Sequence, residues 1–387
     1  MSLKPTQAPT AKGYRAEGPL SQEQALALLA ASGPGAEAKD FFCTPEWFDT
    51  LARHGMEGGH QAAWFVVFKE GSDTCFALPL LAKSKGTAAV YGRGLAGLSN
   101  FYSSLYGPLG QLEACTLDGC RALVAHLKRQ GSVLDLQPLD VDHPFFKHLL
   151  LALRLEGWLC DSYFCFGNWY LEVGGRDFTA YEPTIPSRIR NTVKRGLKKL
   201  KDTGHWQLEV VQGPGPALEQ ALQDWATIYA KSWKVPEPYP SFVPALCHMA
   251  AQQGWLRLGV VRVDSVPIAA QIWLLHQGRM LIYKLAYDEQ HKQFSAGSVL
   301  TTELMRRALD VDRCAEVDYL TGDDAYKADW MSHRRERRGI VAFNPLSLQG
   351  LLSAGRHFAG KAWSQYKARK AIAKPGQSDQ VHERAVV

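Results

Sequence analysis

The chain has 387 residues, 46% of them hydrophobic and 21% charged, the composition of a globular protein with apolar side chains enough for two cores, so two domains are expected. Its formal net charge of +6 is unevenly divided: residues 1–180 hold 15 basic and 18 acidic side chains and the remainder 29 and 20, so an anion-binding role belongs to the second half. No run reaches the ~18 apolar residues of a spanning helix, and Met1–Thr10 lacks the apolar core of a signal peptide, so a cytoplasmic protein is expected. The eight cysteines form no CxxC pair and no His-partnered pattern, so reduced thiols and no metal are expected.

Residues 1–13 read as a disordered N-terminus. Ser21-Gln-Glu-Gln24 matches a capping box and opens an alanine-leucine helix, and Thr44-Pro45 starts another. Ala63–Phe68 and Cys75–Leu81 flank Gly71-Ser-Asp73 as a hairpin, with a third strand at Ala88–Tyr91. Gly92-Arg-Gly-Leu-Ala-Gly97 lacks the helix and the acidic residue that a dinucleotide fingerprint requires, and reads as a flexible loop. A helix over 117–130, a strand over 132–136, a helix over 144–155 and a long strand over 158–173 complete this half. Cys160 and Cys165 fall on that last strand with opposite parity, which disfavours a catalytic thiol.

Tyr181-Glu-Pro-Thr-Ile-Pro186 is a turn-prone linker, and Ser187 is placed to cap the helix after it. Ile189, Val193, Leu197 and Leu200 share one face of that helix. The others carry Arg188, Arg190, Lys194, Arg195, Lys198, Lys199 and Lys201, which suit phosphates or form a solvated face; Arg188 and Arg190, nearest the junction, are the candidate ligand contacts. Trp233 and Tyr239 lie in a loop stiffened by Pro236 and Pro238 that can serve as an acceptor lid. Three strands follow, 255–263, 267–275 and 280–287, with gaps too short for parallel crossovers, hence an antiparallel meander. Gln271 and the same-face pair Tyr283 and Tyr287 are candidates to line a cleft, or are buried polar groups with satisfied hydrogen bonds. A helix spans 296–310 with Leu300, Leu304, Ala308 and Val311 on one face. The free amides of its first turn, at Ala296, Gly297 and Ser298, make an anion site or an ordinary helix start. Further on, His333–Arg338 is a second basic cluster. The segment 356–374 is a basic helix bearing Phe358, Trp363 and Tyr366, which packs an aromatic edge on the domain or touches an anionic membrane surface.

Arg188-Ile-Arg-Asn191, Trp225, Tyr229, Ile268-Ala-Ala270, Tyr283-Lys-Leu-Ala-Tyr-Asp288, Ala296-Gly297, Asp318-Tyr-Leu-Thr-Gly322, Tyr326-Lys327 and Trp330 together resemble GNAT-like acyltransferases of the BioF2-like/CelD type, relatives of the FemAB aminoacyl transferases. The likeness covers about residues 186–340 and extends weakly to Thr44-Pro-Glu-Trp47 and Ser99-Asn-Phe-Tyr102. It implies an α/β (α+β) fold of two GNAT-like domains, each a mixed, largely antiparallel sheet flanked by helices: a degenerate one over 14–180 and an acyltransferase domain over 181–345, followed by a basic C-terminal helix and tail over 346–387. The resemblance further implies acyl-CoA as co-substrate, lying between two splayed strands with its phosphates over Gly297. Gln293, Ala296, Gly297, Ser298 and Tyr287 are then the donor contacts, and Arg188, Arg190, Gln271, Tyr283, Trp233 and Trp330 the substrate contacts. Gln293-Phe-Ser-Ala-Gly-Ser298 departs from the usual Gln/Arg-x-x-Gly-x-Gly/Ala loop, which leaves an acyl carrier protein or an aminoacyl-tRNA as other donors. The acceptor is an amine or hydroxyl compound, a small molecule or glycan precursor of envelope or polysaccharide metabolism.

Asp318, at a strand end, is the candidate base or amine-orienting group, with burial expected to raise its pKa; a strand-end aspartate holding backbone amides is the other reading. Lys327, beside Tyr326, is the candidate for neutralising developing negative charge, with Trp330 packed beneath it. A nucleic-acid-binding module built on helix 187–201 is a competing function of a different class, and predicts steeply salt-dependent affinity.

Overall fold

The computed structural model describes residues 13–31, 40–57, 62–83 and 94–372. In chain order the elements are β1 (Tyr14–Leu20), α1 (Gln22–Ala31), α2 (Pro45–His54), β2 (Ala62–Lys69), β3 (Cys75–Lys83), β4 (Gly94–Gly97), β5 (Leu109–Gly110), α3 (Leu117–Leu127), β6 (Val133–Asp140), α4 (Pro144–Leu155) and β7 (Leu159–Glu172). They continue with α5 (Phe178–Tyr181), α6 (Ser187–Asp202), β8 (Trp206–Val211), α7 (Pro216–Ala230), α8 (Phe242–Gln252), β9 (Leu256–Val263), β10 (Val266–His276), β11 (Arg279–Tyr287), α9 (Ala296–Asp310), β12 (Glu316–Asp318), β13 (His333–Phe343) and α10 (Leu348–Ile372).

Local chemistry accounts for most of these boundaries. The capping box forms, with Ser21 N donating to Gln24 Oε1 at 3.0 Å and Gln24 N to Ser21 Oγ at 3.2 Å. Thr44 Oγ1 accepts from Trp47 N at 3.1 Å, and Pro45 occupies the first turn of α2. Both turns of the second meander have two positive-φ residues, Asp264 and Ser265, then Gln277 and Gly278, which matches the twist of a tight hairpin.

One mixed sheet runs through the molecule in the order β1-β2-β3-β4-β6-β13-β7-β12-β11-β10-β9-β8, with β5 beside β3. Its pairs are antiparallel except β4 with β6 and β11 with β12, so the fold is a mixed α/β architecture whose largely antiparallel sheet is flanked by helices. The same succession occurs twice: an antiparallel meander, a helix, a strand parallel to the last of the meander, and a further strand. Those two further strands exchange places, because β13 lies between β6 and β7 while β7 lies between β13 and β12. Gly339 permits this packing: a Cβ there would stand 2.2 Å from the Tyr163 ring on β7.

Three expectations are corrected. Gly94–Gly97 is a buried strand pairing with β3 and β6, not a flexible loop; its glycines let the chain pass the Tyr106 ring, 2.9 Å from where a Gly97 Cβ would be. Ser187 is the first residue of α6, and Pro186 before it offers no side-chain cap. His333–Arg338 belongs to β13, whose pleat turns Arg335 and Arg337 inward, so the cluster is not wholly a surface feature. The strand read over 88–91, the N-terminus over 1–12 and the end of the tail lie outside the described residues.

Phe41, Trp47, Phe48, Trp64 and Phe242 belong to one core that spans both halves; each such side chain contributes about 1.5–3 kcal/mol on burial. A second core packs Val299, Leu300 and Met305 of α9 and Leu200 of α6 on Val261, Ile268 and Trp273. Gly259 admits the close approach of α9, since a Cβ there would lie 2.8 Å from Leu300 Cδ1. Among the described residues no helix is long and apolar enough to cross a membrane.

Candidate active site

Strands β11 and β12 pair only from Arg279↔Glu316 to Leu281↔Asp318. Beyond that point β11 continues to Tyr287, while the chain after Asp318 turns toward β7, with Tyr319 N donating to Trp169 O at 2.9 Å. On its other side β11 carries a bulge: pairing with β10 passes from Lys284↔Ile272 to Ile282↔Trp273 and leaves Tyr283 as the extra residue. The two strands therefore splay, and a cavity of about 230 Å³ opens in the gap. Ile282–Leu285 form one wall and Tyr319–Thr321 the other; Tyr102 and Ser104 come from the first half, and Lys234, Asp324, Tyr326 and Lys327 also line it.

Three lysines meet in this cavity. Lys284 is ion-paired with Glu237, which also accepts from Tyr102 OH at 2.7 Å, while Tyr283 OH donates to Tyr102 O at 3.2 Å. Burial alone would raise the Glu237 carboxyl, but Lys284 and Tyr102 outweigh it and hold it below the usual carboxylate range. Lys327 is buried. Its ammonium donates to Thr321 O at 2.5 Å, to Gly322 O at 3.3 Å and to Tyr319 O at 3.4 Å, and lies 3.4 Å from Asp324. Burial lowers its pKa despite Asp324 and Asp318. Lys234 is lowered by burial and then by Lys284; among the described residues its ammonium has no carboxylate within 4 Å, only the Trp233 ring at 5.5 Å. Tyr326 sets its ring edge-on to Tyr319 at 5.7 Å, and partial burial with Asp324 nearby pushes its phenol up to about 12.

The wall after β12 is fastened by Asp318, and here the expected pKa shift is reversed. Burial would raise this carboxyl, yet Arg335, Arg279 and Arg337, with a hydrogen bond from Asn168 Nδ2 at 2.6 Å, hold it below its ordinary range. Its Oδ1 also accepts from Leu320 N at 2.7 Å, fixing Leu320 in the left-handed region at φ 56°. Asp318 is thus an ionised positioning residue, with its partners occupying both oxygens, and it faces away from the cavity into the arginine cluster.

Of the other expected residues, Tyr283, Tyr326 and Lys327 line the cavity together. Tyr287, two residues beyond the lining stretch of β11, joins it to α9: its ring is 4.7 Å from that of Trp233, and its Cδ1 lies 3.4 Å from where a Gly297 Cβ would be. Ser295, before Ala296, Gly297 and Ser298, makes no side-chain cap. Gln271 is not a cleft residue; its Nε2 donates to Gly297 O at 2.9 Å and Thr301 Oγ1 at 2.8 Å and braces the start of α9. Gln293 is exposed, and its carbonyl accepts from Lys199 at 3.2 Å. Arg188 grips Asp329 at 2.5 and 2.6 Å, Arg190 donates to Ile185 O at 3.1 Å, and buried Trp330 accepts from Tyr181 OH at 2.7 Å; none of the three lines the cavity. Sequence reading passed over Lys234, Glu237 and Lys284 as functional groups. The one signal for Lys284 was a lysine amid the apolar residues of a central strand. The thiols are poor nucleophiles, burial pushing Cys165 up to about 11 and Cys247 to about 12.

Residues 187–328 match the family model described as an acetyltransferase (GNAT) domain, a stretch that contains α6, the splay, α9 and the cavity's Tyr326 and Lys327. No curated protein matches the chain. Among solved structures, FemX is similar in fold, with a TM-score of 0.58 at 11% identity, covering 83% of this chain and 96% of its own. A protein of unknown function from Bacteroides thetaiotaomicron has a TM-score of 0.50 at 8% identity and covers 84% of this chain and 98% of its own.

Proposed function

We propose that the chain transfers an acyl group from acyl-CoA or a related carrier to an amine or hydroxyl acceptor, with the reacting carbonyl in the gap between β11 and β12. The observation that carries this reading is the continuity of one strand. Ile282–Leu285 wall the cavity and Tyr287, farther along β11, lies beside the uncapped start of α9, so one strand links a place for a thioester with a place for the donor's phosphates. The GNAT match over the same residues supports it.

In such a transfer the acceptor nitrogen or oxygen attacks the thioester carbon, the C–S bond breaks, and the acceptor loses a proton while the departing sulfur gains one. Lys234, the cavity ammonium with no carboxylate within 4 Å among the described residues, is suited to negative charge on the carbonyl oxygen or on the acceptor. Asp324 lines the cavity directly and ionised Glu237 reaches it through Tyr102, so these two carboxylates are placed to take up a proton, and Tyr326 retains its proton at neutral pH for the leaving sulfur. Lys327, spent on three carbonyls, holds the Tyr319–Gly322 wall in position. An acceptor of envelope or polysaccharide metabolism rests on the family resemblance.

Native mass spectrometry of the purified chain with acetyl-CoA and longer acyl-CoAs tests the reading. The expected result is a one-to-one adduct, weakened by Gly297→Ala, whose methyl crowds the first-turn amides of α9. No adduct with any acyl-CoA, together with an adduct removed by ribonuclease, would replace this donor with an aminoacyl-tRNA bound by the exposed cations of α6.

A further inference from the structure

Helix α10 carries its apolar residues on the side turned away from the protein. At 3.6 residues per turn Leu348, Leu351, Leu352, Trp363 and Tyr366 fall on one face and form a stripe along the helix, with Phe358 at its edge against the Phe343 ring. All six are exposed, Leu348 at 75%, Leu352 at 62%, Trp363 at 59% and Tyr366 at 54%. The opposite side is the one that docks. Ser353 and Ala354 are buried there, His357 Nε2 lies 3.0 Å from Asp161, and Lys361 donates to both Asp161 oxygens at 2.7 and 2.6 Å. A helix held to a globular body normally buries its apolar face, and an uncovered stripe of this kind marks an interaction surface.

We infer that α10 is an interfacial helix whose stripe lies in the headgroup region of an anionic bilayer. Charge selects this occupant: residues 344–378 contain six lysines and arginines and no aspartate or glutamate. Arg356, Lys367 and Lys370 are exposed and follow the edge of the stripe at helical spacing, where phosphate headgroups would meet them as the apolar side chains enter the acyl boundary. Trp363 and Tyr366, stacked at 5.8 Å, have the amphipathic rings suited to that depth. A second copy of the chain fits less well, because pairing two stripes would bring the same three cations of both helices together. This inference does not depend on the acyl donor.

Co-sedimentation of the full chain with vesicles tests it. Binding to phosphatidylcholine vesicles containing phosphatidylglycerol is expected, at least ~tenfold tighter than to phosphatidylcholine alone. The exposed-face variant Leu352→Glu/Trp363→Glu should lose that binding at least ~tenfold with an unchanged thermal melt, and Arg356→Gln/Lys367→Gln should lose only the preference for anionic lipid. Absence of binding to the anionic vesicles, binding indifferent to Leu352→Glu/Trp363→Glu, or a dimer in analytical ultracentrifugation that this variant dissolves would each overturn the inference.

Discussion

Asp318 shows how neighbours reverse the effect of burial on a single residue. A carboxyl removed from water alone becomes a weaker acid, and one beside Arg335, Arg279 and Arg337 stays ionised. Because its folded pKa is depressed, its contribution to stability is present above the unfolded value of about 3.9 and is lost as pH falls through the folded one. Asp318→Asn should therefore cost about 3–5 kcal/mol at pH 7, as breaking a buried ion pair does. Urea unfolding should show the gap from the unaltered chain narrowing as pH falls below about 4. Lys327 has a similar duty, since its three carbonyl partners form the cavity wall. Lys327→Met should destabilise by about 1–3 kcal/mol through the orphaned carbonyls. Turnover should fall at least ~tenfold, since small displacements of a wall are amplified in rate; unaltered turnover at a temperature where the variant is folded would separate the wall from the chemistry.

At the scale of elements, α6 and α9 meet through a bare backbone. A Cβ on Gly196 would stand 2.4 Å from Phe294 O, in the segment that leads into α9, so Gly196→Val must push α6 off that segment. The expected loss is about 1–3 kcal/mol, as for other overpacked contacts, read as a lower midpoint in chemical denaturation. Gly297 differs, because an added Cβ there meets only Tyr287 at 3.4 Å, an ordinary contact. Gly297→Ala should leave stability within about 0.5 kcal/mol. Donor affinity in titration calorimetry should fall, because the methyl occupies space above the first-turn amides; unchanged affinity would move the phosphates elsewhere. The extent of α9 and of the three-strand meander was legible in residue spacing and turn chemistry. The strands β1, β8 and β13 were not, because β13 opens with His333-Arg-Arg-Glu-Arg-Arg338, whose charges are tolerated only where partners from other strands await them.

For the whole molecule, the exchange of β7 and β13 joins the halves more firmly than the linker between them. Each of these strands completes a sheet segment begun by the other half, and Arg279 and Arg337 bind Asp40 and Asp140 across the seam. A chain ending at residue 331 would lack β13 and leave the facing edges of β6 and β7 unpaired. Loss of cooperative thermal unfolding is expected in circular dichroism, together with rapid cleavage in limited proteolysis. A truncated chain that melts cooperatively would mean that the remaining strands close the gap.

Sequence by itself determined what depends on neighbours along the chain: the capping box at Ser21, the Thr44 cap, both tight hairpins, the α9 face, and the likeness to an acetyltransferase domain, which the family model matches over residues 187–328. Local propensity, hydrophobic period and turn geometry act over a few residues, so they can be read in order. Tertiary structure alone decided the ionisation of Asp318, the meeting of Lys234, Lys284 and Lys327 in one cavity with Tyr102, the exchange of strands and the outward stripe of α10. Those outcomes depend on electrostatic and packing partners tens to hundreds of residues away, and the pattern of any one segment carries no record of which partners the fold will bring to it.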